Sequence, residues 1–511
     1  MDAVRESSKE LMSRLVKTLL DEGVTAQTLD LDSMPFAAME QFGHGLGKVL
    51  ARQIQGALAE AQAVRVREQH GDEHACPQCG QACPAAPQPR TMQTLDGAVE
   101  FAEPKCVCPA CRKSFFPQRD LLKIERETFS PGVVKKVILA AVETKSFARA
   151  EAVMAKIAEV EISGRHIGRL ANEHGVRLID QQRERVIAHR QKQLAVEVEN
   201  VPELAVVELD GGRIRTRAEG QGPGTHEPAW KETKNALFLR MSSEVHEHDP
   251  CPELPETLQN RRRIRQLVLE LSGTASGVEE PLKESVETSG EAATALTSMR
   301  YDGPQKLLRT CLSSLDDITT FGPLMAAEAH RKAFFQAVRQ AFVADGMPCN
   351  WTVWKKHFPT FTPIVDLLHA ISYVYHAAVA IGGDEDFSWG QCLEWIEAVW
   401  QGRVRDVIAA LTEWLAAQRP LDDDTPLDDP RRTVQSSLTY LTNNQSRMNY
   451  PAYRKQGLPI TSSLMESLVK EIHWRVKGTE KFWNNPTGAT PILALQAAAL
   501  SEDARLDSLF T

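Results

Sequence analysis

Apolar residues recur at helical spacing at the start of the chain. Leu11, Leu15, Leu19 and Leu20 form one stripe, and Phe42 to Val66 form a longer amphipathic segment. Residues 1–70 therefore read as a helical arm or hairpin. The same period returns between 121 and 195. Val133, Val134, Val137, Ile138 and Val142 share a face there, and a further helix is opened by Ser163 and closed by Gly175. Two helices joined by a short turn fit a helix-turn-helix with Arg165, His166, Arg169 and Asn172 presented outward. An ordinary three-helix packing unit fits equally well.

At Leu204 the period shortens. Leu204 to Leu209 reads as an apolar strand, Asp210-Gly-Gly as a turn, and Arg213 to Arg217 as an alternating strand. Beyond a Gly/Pro loop at 220–228, Trp230–Met241 offers a third strand. Residues 248–298 are polar and read as an insertion or linker. The stretch 341–347 then predicts a strand ending at Asp345-Gly. A short aromatic helix, 350–358, and a strand, 361–369, lead into the helix 370–381. Residues 384–450 read as an all-helical insertion, with Trp389, Trp395, Trp400 and Trp414 at core-like spacing. The last segment, 451–511, carries a helix beginning near Thr461-Ser-Ser and ending near Gly478.

Composition adds little, but the distribution of charge matters. The 511 residues are 42% hydrophobic and 25% charged, with a net charge of −9. From Lys105 to Lys192, however, 18 Lys and Arg face 10 Asp and Glu, and from Arg447 to Lys481 there are 7 against 3. Local basic patches, not the total, decide nucleic-acid binding. No apolar run is long enough for a membrane span, and no signal-like segment opens the chain, which points to the cytoplasm.

Two Cys-x-x-Cys knuckles, Cys76/Cys79 and Cys108/Cys111, flank a predicted hairpin over 91–103. That spacing matches a Cys₄ zinc ribbon spanning 71–120, in which zinc is structural because four thiolates leave no open position. Cys83 and Cys106 are spare, and Cys106 competes with Cys108 as a ligand.

Four carboxylates stand on separate predicted elements: Asp210, Asp345, Asp366 and Glu466. Each has an ordinary alternative. Asp210 fits a turn, the other two aspartates fit caps, and Ser463-x-x-Glu466 fits a capping box. Together they match a different order, that of an RNase H-like α/β core (196–383, with 248–298 inserted, completed by 451–511). Such a core has three antiparallel strands, alternating helices and strands, and a late helix bearing an acid. Carboxylates are hard ligands suited to Mg²⁺ or Mn²⁺, and two such ions serve phosphoryl transfer. On the late helix Glu466, Lys470, His473 and Lys477 fall on one stripe, placing an acid beside DNA-facing cations.

Several local motifs resemble those of bacterial insertion-sequence DDE transposases of the ISKra type, related to Mutator-like transposases. They are Cys108-Pro-Ala-Cys111-Arg-Lys-Ser-Phe-Phe-Pro117, Leu209-Asp-Gly211, Val343-Ala-Asp-Gly346, His357-Phe-Pro359 and Ile364-Val-Asp-Leu-Leu-His369-Ala. Most specific are Leu458-Pro-Ile-Thr-Ser-Ser-Leu-Met-Glu-Ser467 and Val476-Lys-Gly-Thr-Glu-Lys-Phe-Trp483. The resemblance implies an enzyme that binds the terminal inverted repeats of its element and acts as a dimer or other homo-oligomer on double-stranded DNA. It implies cleavage and strand transfer into target DNA with two Mg²⁺ or Mn²⁺ ions, in the bacterial cytoplasm at the nucleoid. It also implies Asp210 as first acid, Glu466 as third and Asp345 as second, with Asp366 and His369 as a supporting Asp-x-x-His pair. Asp366 is the alternative second acid. Two other readings remain: a DNA-binding regulator without chemistry, and an RNase H-like nuclease that cuts without joining.

Overall fold

The computed structural model describes residues 13–14, 16–18, 33–124, 128–198, 200–218, 229–271, 303–422, 424–477, 483 and 486–510. The leucine stripe Leu11–Leu20, the loop 220–228 and the linker from 272 onward lie outside them. The chain is mixed α/β and divides into two compact units, the first comprising 1–136 with 156–160 and the second the remainder.

In the first unit, helix α1 (Phe36–His70) is one continuous element, ended by Gly71 with φ +75°. It precedes a four-stranded antiparallel sheet of β1 (Glu73–Ala75), β2 (Ala82–Thr94), β3 (Gly97–Val107) and β4 (Ser114–Phe115). β2 and β3 form the expected hairpin, with Thr94 paired to Gly97 across a two-residue turn. Met92, Val99, Phe101 and Ile124 are buried in this unit, and so is Glu103, which is neutralised by Arg90 at 3.0 Å and Arg119 at 2.6 Å. The short helix α2 (Pro117–Leu122) follows.

Helix α3 (Pro131–Val142) runs from the first unit into the second. Helix α4 (Phe147–Val153) continues into a π turn, and helix α5 (Gly164–Arg190) starts at Ser163, whose hydroxyl accepts from the His166 N–H at 3.3 Å. The expected stop at Gly175 does not occur. α5 continues for 27 residues, and Gly175 answers a packing demand instead. A Cβ there would lie 2.5 Å from Cβ and O of Pro491 on helix α15 (Pro486–Ala499).

The second sheet has the order β7-β6-β5-β8-β9. Its strands are β5 (Leu204–Thr216), β6 (Ala229–Ser242), β7 (Gln305–Ser314), β8 (Arg339–Ala344) and β9 (Thr362–Val365). β7, β6 and β5 are antiparallel neighbours, while β5, β8 and β9 are parallel. Asp210-Gly-Gly is therefore no hairpin turn. β5 runs straight through it, with Asp210 opposite Asn235 and Gly212 opposite Thr233. The glycines admit neighbours: a Cβ on Gly212 would lie 2.2 Å from Nε2 of His473 on helix α14 (Ser463–Val476). β7, which the periodicity did not reveal, supplies the third antiparallel strand.

Helices α7 (Ile318–Arg331), α8 (Pro348–His357) and α9 (Leu367–Ile381) connect and follow the parallel strands. The aromatic helix α8 and the strand before α9 fall where periodicity placed them, though α9 starts earlier than expected, at Leu367 with Asp366 as its cap. Helices α10 (Glu385–Trp400), α11 (Val404–Ala416), α12 (Pro430–Asn444) and α13 (Tyr450–Lys455) fill the predicted helical stretch. Trp395 and Trp400 are buried there, as their spacing suggested. One expectation needs correcting: the polar segment after 248 is partly helical. Its Arg261-Arg-Arg-Ile-Arg run opens helix α6 (Arg261–Leu271), where Ile264 and Val268 are buried and Arg261 pairs with Glu385 at 2.6 Å. Among the described residues no helix is long and apolar enough to cross a membrane.

Candidate functional site

The parallel half of the second sheet sets three aspartates side by side. Leu209 pairs with Ala344, Ala344 pairs with Val365, and in each strand the next residue is an aspartate. Neighbouring strands lie about 4.8 Å apart, so Asp345 and Asp366, just past the carboxyl ends of β8 and β9, form a row with Asp210 at the middle of the longer β5. Open α/β sheets place chemistry there because the strand ends converge on a crevice.

Each aspartate is held differently. Asp210 Oδ1 accepts only the Gly211 N–H, at 2.7 Å. Asp345 Oδ1 accepts from the Met347 N–H at 2.9 Å and from Asn350 Nδ2 at 2.7 Å. The backbone around Asp345 is clamped by α12. Tyr440 Oη donates to Asp345 O at 2.8 Å and Asn444 Nδ2 to Gly346 O at 3.3 Å. Gly346 has φ +94°, and its missing side chain leaves room for the Tyr440 ring, which a Cβ would meet at 2.6 Å.

Asp366 is fully buried and caps α9. Its Oδ1 accepts the Leu368 N–H at 2.8 Å, and its Oδ2 takes both His369 Nδ1 at 3.2 Å and the Ser462 hydroxyl. Burial alone would raise this carboxyl, but the bond and charge of His369, then Ser462 and Leu368, hold it below the usual range. Burial likewise opposes charge on His369. Asp366, with Asp345 and Asp210 beyond, nevertheless pushes its imidazolium up to about 9. Asp366 and His369 are thus a buried ion pair.

Glu466 comes down from α14 onto this row. The capping box is absent: α14 begins at Ser463, its cap residue is Ser462, and no side-chain cap bond forms because the Ser462 hydroxyl turns to Asp366. Glu466 Oε1 is buried without a hydrogen-bond partner. Burial first, then the charges of Asp366 and Asp210, push this carboxyl up to about 7. Burial and Asp345 push Asp210 up to about 6.

A further acid, not singled out by motif, lies beneath them. Glu208 is two residues before Asp210 and so on the same face of β5. It is buried, its Oε2 has no partner, and burial with the neighbouring carboxylates raises it well above the usual range. The signal was one charged residue inside the apolar run Leu204-Ala-Val-Val-Glu-Leu209.

These features fit a divalent cation. Buried carboxylates repel one another, orphaned oxygens point into the site, and one donor atom each of Asp366, His369 and Glu466 lies within 4.8 Å of the others. In that last group Asp366 already accepts three hydrogen bonds, one of them from His369 Nδ1. Asp210, Asp345 and Glu466 keep more free acceptor capacity.

In the first unit the four cysteines of the two knuckles meet. Sγ distances are 3.5 Å for Cys76–Cys111 and Cys79–Cys108, 3.2 Å for Cys79–Cys111 and 3.3 Å for Cys108–Cys111. Backbone N–H groups aimed at its sulfur lower Cys108 to about 6 and also lower Cys76, favouring the thiolates zinc requires. Cys106 is excluded from the group and is buried opposite Phe115. Each knuckle needs a left-handed residue. Gly80 supplies it in the first, with φ +73°, and Arg112 takes it in the second, with φ +57°.

The remaining candidates are dispersed. Arg165, Arg169 and Asn172 are exposed on the first turns of α5, where Arg169 pairs with Glu173 at 3.0 Å. Lys470 and Lys477 are exposed, and Lys470 reaches Glu270 at 3.1 Å. His473 does not share their outward stripe. Its ring lies on Gly212 with Nε2 3.5 Å from Thr233 Oγ1, and burial drops it to about 4.

Neither a protein-family model nor a curated relative matches the chain. Among solved structures it is similar to the Drosophila P element transposase strand transfer complex, at 10% identity and a TM-score of 0.30, over 76% of this chain and 94% of that one. A likeness that remote fixes neither the fold nor the chemistry of this chain.

Proposed function

We propose that this chain is a DNA transposase of the ISKra-type DDE class, whose second unit is an RNase H-like core with the helices α10–α13 inserted. The observation that carries the reading is the row of aspartates on three neighbouring strands together with the orphaned carboxylate oxygen of Glu466. Sheet order supports it too. Numbered within the core, β7-β6-β5-β8-β9 is 3-2-1-4-5, with the acid-bearing strands 1 and 4 adjacent.

In this reading Asp210, Asp345 and Glu466 would hold two Mg²⁺ or Mn²⁺ ions, which activate the attacking oxygen and stabilise the leaving one. The side chains position and charge the site. Asp366 orients His369 through Nδ1, leaving the Nε2–H of the imidazolium to donate to a phosphate oxygen. Tyr440 and Asn350 fix Asp345 in direction, and Ser462 ties the start of α14 to Asp366, so that Glu466 is presented over the row. Water attacks in line to free a 3′-OH at the element end, and that hydroxyl then attacks target DNA. Lys470, Lys477, Arg165, Arg169 and Asn172 would contact the duplex and the terminal repeats. Zinc at Cys76, Cys79, Cys108 and Cys111 holds the ribbon together.

The test uses the full chain and duplexes copied from the DNA on either side of its reading frame. Expected are nicking and strand-transfer products with Mg²⁺ or Mn²⁺, and their loss in Glu466→Gln. If Glu466→Gln cuts and joins at the wild-type rate, its catalytic role is wrong. Cutting without joining would identify a nuclease, and binding without cutting under either metal a regulator.

A further inference from the structure

A cavity of ≈ 750 Å³ opens beside Gly346, the residue after Asp345. It lies between α12 of the inserted helices and the core's α8 and α9, and the proposed DDE chemistry makes no use of it. One wall is the Tyr373–Tyr440 pair, stacked at 3.7 Å between centroids with 11° between planes. Trp351 also lines it, with the Arg447 guanidinium 4.5 Å from its ring centroid. Arg447 donates to Asn443 O at 3.1 Å and Asn444 Oδ1 at 3.2 Å, which leaves further N–H groups of its fork for an anion. Gln435 and Asn443 contribute exposed amides on the rim, each both donor and acceptor.

Aromatic faces, amide edges and a guanidinium are the chemistry that recognises a nucleotide: stacking for the base, amides for its edge, the cation for its phosphate. The volume lies within the ~300–1,000 Å³ span of small-ligand sites and is far too small for a duplex. A base can enter only by leaving its stack. Tyr440 connects the cavity to the site directly, since its ring lines the one and its hydroxyl holds the Asp345 backbone of the other. We propose that this cavity receives a single nucleotide swung out of the DNA strand that crosses Asp345. The inference rests on the transposase reading and adds to it a place for the nucleotide next to the cut.

The probe is a duplex carrying one unpaired 5-iodouridine, photocrosslinked to the full chain with magnesium withheld and zinc retained. The expected crosslink maps to the peptides of Trp351, Tyr373 or Tyr440 and exceeds that of a fully paired duplex. Ser436 is exposed on the cavity lining and makes none of the contacts that hold Asp345, so Ser436→Trp should fill the space and cut the yield about tenfold. The milder Gln435→Ala/Asn443→Ala variant, confined to exposed side chains, should lower it severalfold. A crosslink that maps elsewhere, or a Ser436→Trp yield equal to wild type, overturns the assignment. So does displacement of the bulged duplex by an equimolar free mononucleotide, which would make the cavity a site for free nucleotides. These outcomes are independent of the cutting assay. Metal-dependent cutting with no cavity crosslink sinks the cavity alone, whereas failure of all cutting sinks the transposase reading.

Discussion

Asp345 and Asp366 follow adjacent strands at one level, yet exchanging each for asparagine should have very unequal consequences for stability. Asp366 is fully buried and is the counter-charge of His369. Asparagine at 366 cannot accept through its Nδ2, so His369 and Ser462 lose their shared acceptor and an imidazolium is left buried without its partner. The magnitude follows from the histidine. Its rise from the ordinary 6.5 to about 9 corresponds to roughly 3 kcal/mol at most, since the His369 side chain is 21% exposed and water screens part of it. Breaking a buried pair by removing one member costs about 3–5 kcal/mol, which agrees. Asp345→Asn keeps Oδ1 as acceptor for Met347 N–H and Asn350 Nδ2 at a half-buried position, and should cost less than about 1 kcal/mol. The pH dependence separates them further. A raised histidine contributes stability that is complete below pH 6.5 and lost as pH climbs through about 9. Wild type and Asp345→Asn should therefore weaken over that window, while Asp366→Asn, already lacking the contribution, should not. Urea unfolding followed by tryptophan fluorescence at pH 6.5 and 9.5, with zinc present and magnesium withheld, measures both effects. An Asp366→Asn protein as stable as wild type would refute the ion-pair assignment and return Asp366 to candidacy as the second catalytic acid.

Cys108→Ser should reduce bound zinc, measured by elemental analysis, from one ion per chain to a small fraction, because the lowered thiol is the readiest thiolate of the four. Gly175→Ala should destabilise despite alanine's better helix propensity. The 2.5 Å clash with Pro491 costs about 1–3 kcal/mol or more, against a propensity gain of about 1. Gly390→Ala, in the interior of α10 with nothing within 4 Å, should instead gain about 0.5–1 kcal/mol, and equal melting of the two variants would defeat the packing argument. Glu328 is buried, but the charges of Arg505 and Arg331 outweigh that burial and hold it down at about 2. Its stabilisation is present above pH 4.5 and lost as pH falls towards 2, so acid unfolding should be shallower in Glu328→Gln, a variant already weakened by about 3–5 kcal/mol at neutral pH.

Side-chain clusters were more legible in the chain than its backbone path. The knuckles and the strand-end Asp345-Gly follow from short-range spacing, whereas the Asp366–His369 pair came only with the family resemblance. Asp210-Gly-Gly misled because glycine after aspartate signals a turn locally, whereas here the glycines exist for contacts from His473 and Glu232, far away in sequence. Gly175 misled in the same way: a helix stop and a helix crossing both ask for glycine, and only the position of Pro491 distinguishes them. β7 escaped notice because it is an edge strand. Its first half, Gln305 to Leu308, is largely exposed, and only Thr310 to Ser314 is buried, so no clean alternation marks it. The capping box was a fair reading of Ser463-x-x-Glu466. It yields because α14 starts one residue earlier than that motif needs, which places Ser463 inside the helix, and because Asp366 claims the hydroxyl of the actual cap residue Ser462.

The helix bearing Glu466 also sets a clock. Asp210 is synthesised 256 residues before Glu466. At bacterial and eukaryotic rates of about 5–20 residues per second, roughly 10–50 s separate the first acid from the last. Over the last 100 residues of that interval, after Asp366 has been made, the three aspartates can line up in their strands, but the carboxylate that completes the proposed site has yet to be made. If the proposed triad is the catalytic one, the order of the acids along the chain would withhold metal-dependent chemistry from any nascent or truncated chain that stops short of Glu466.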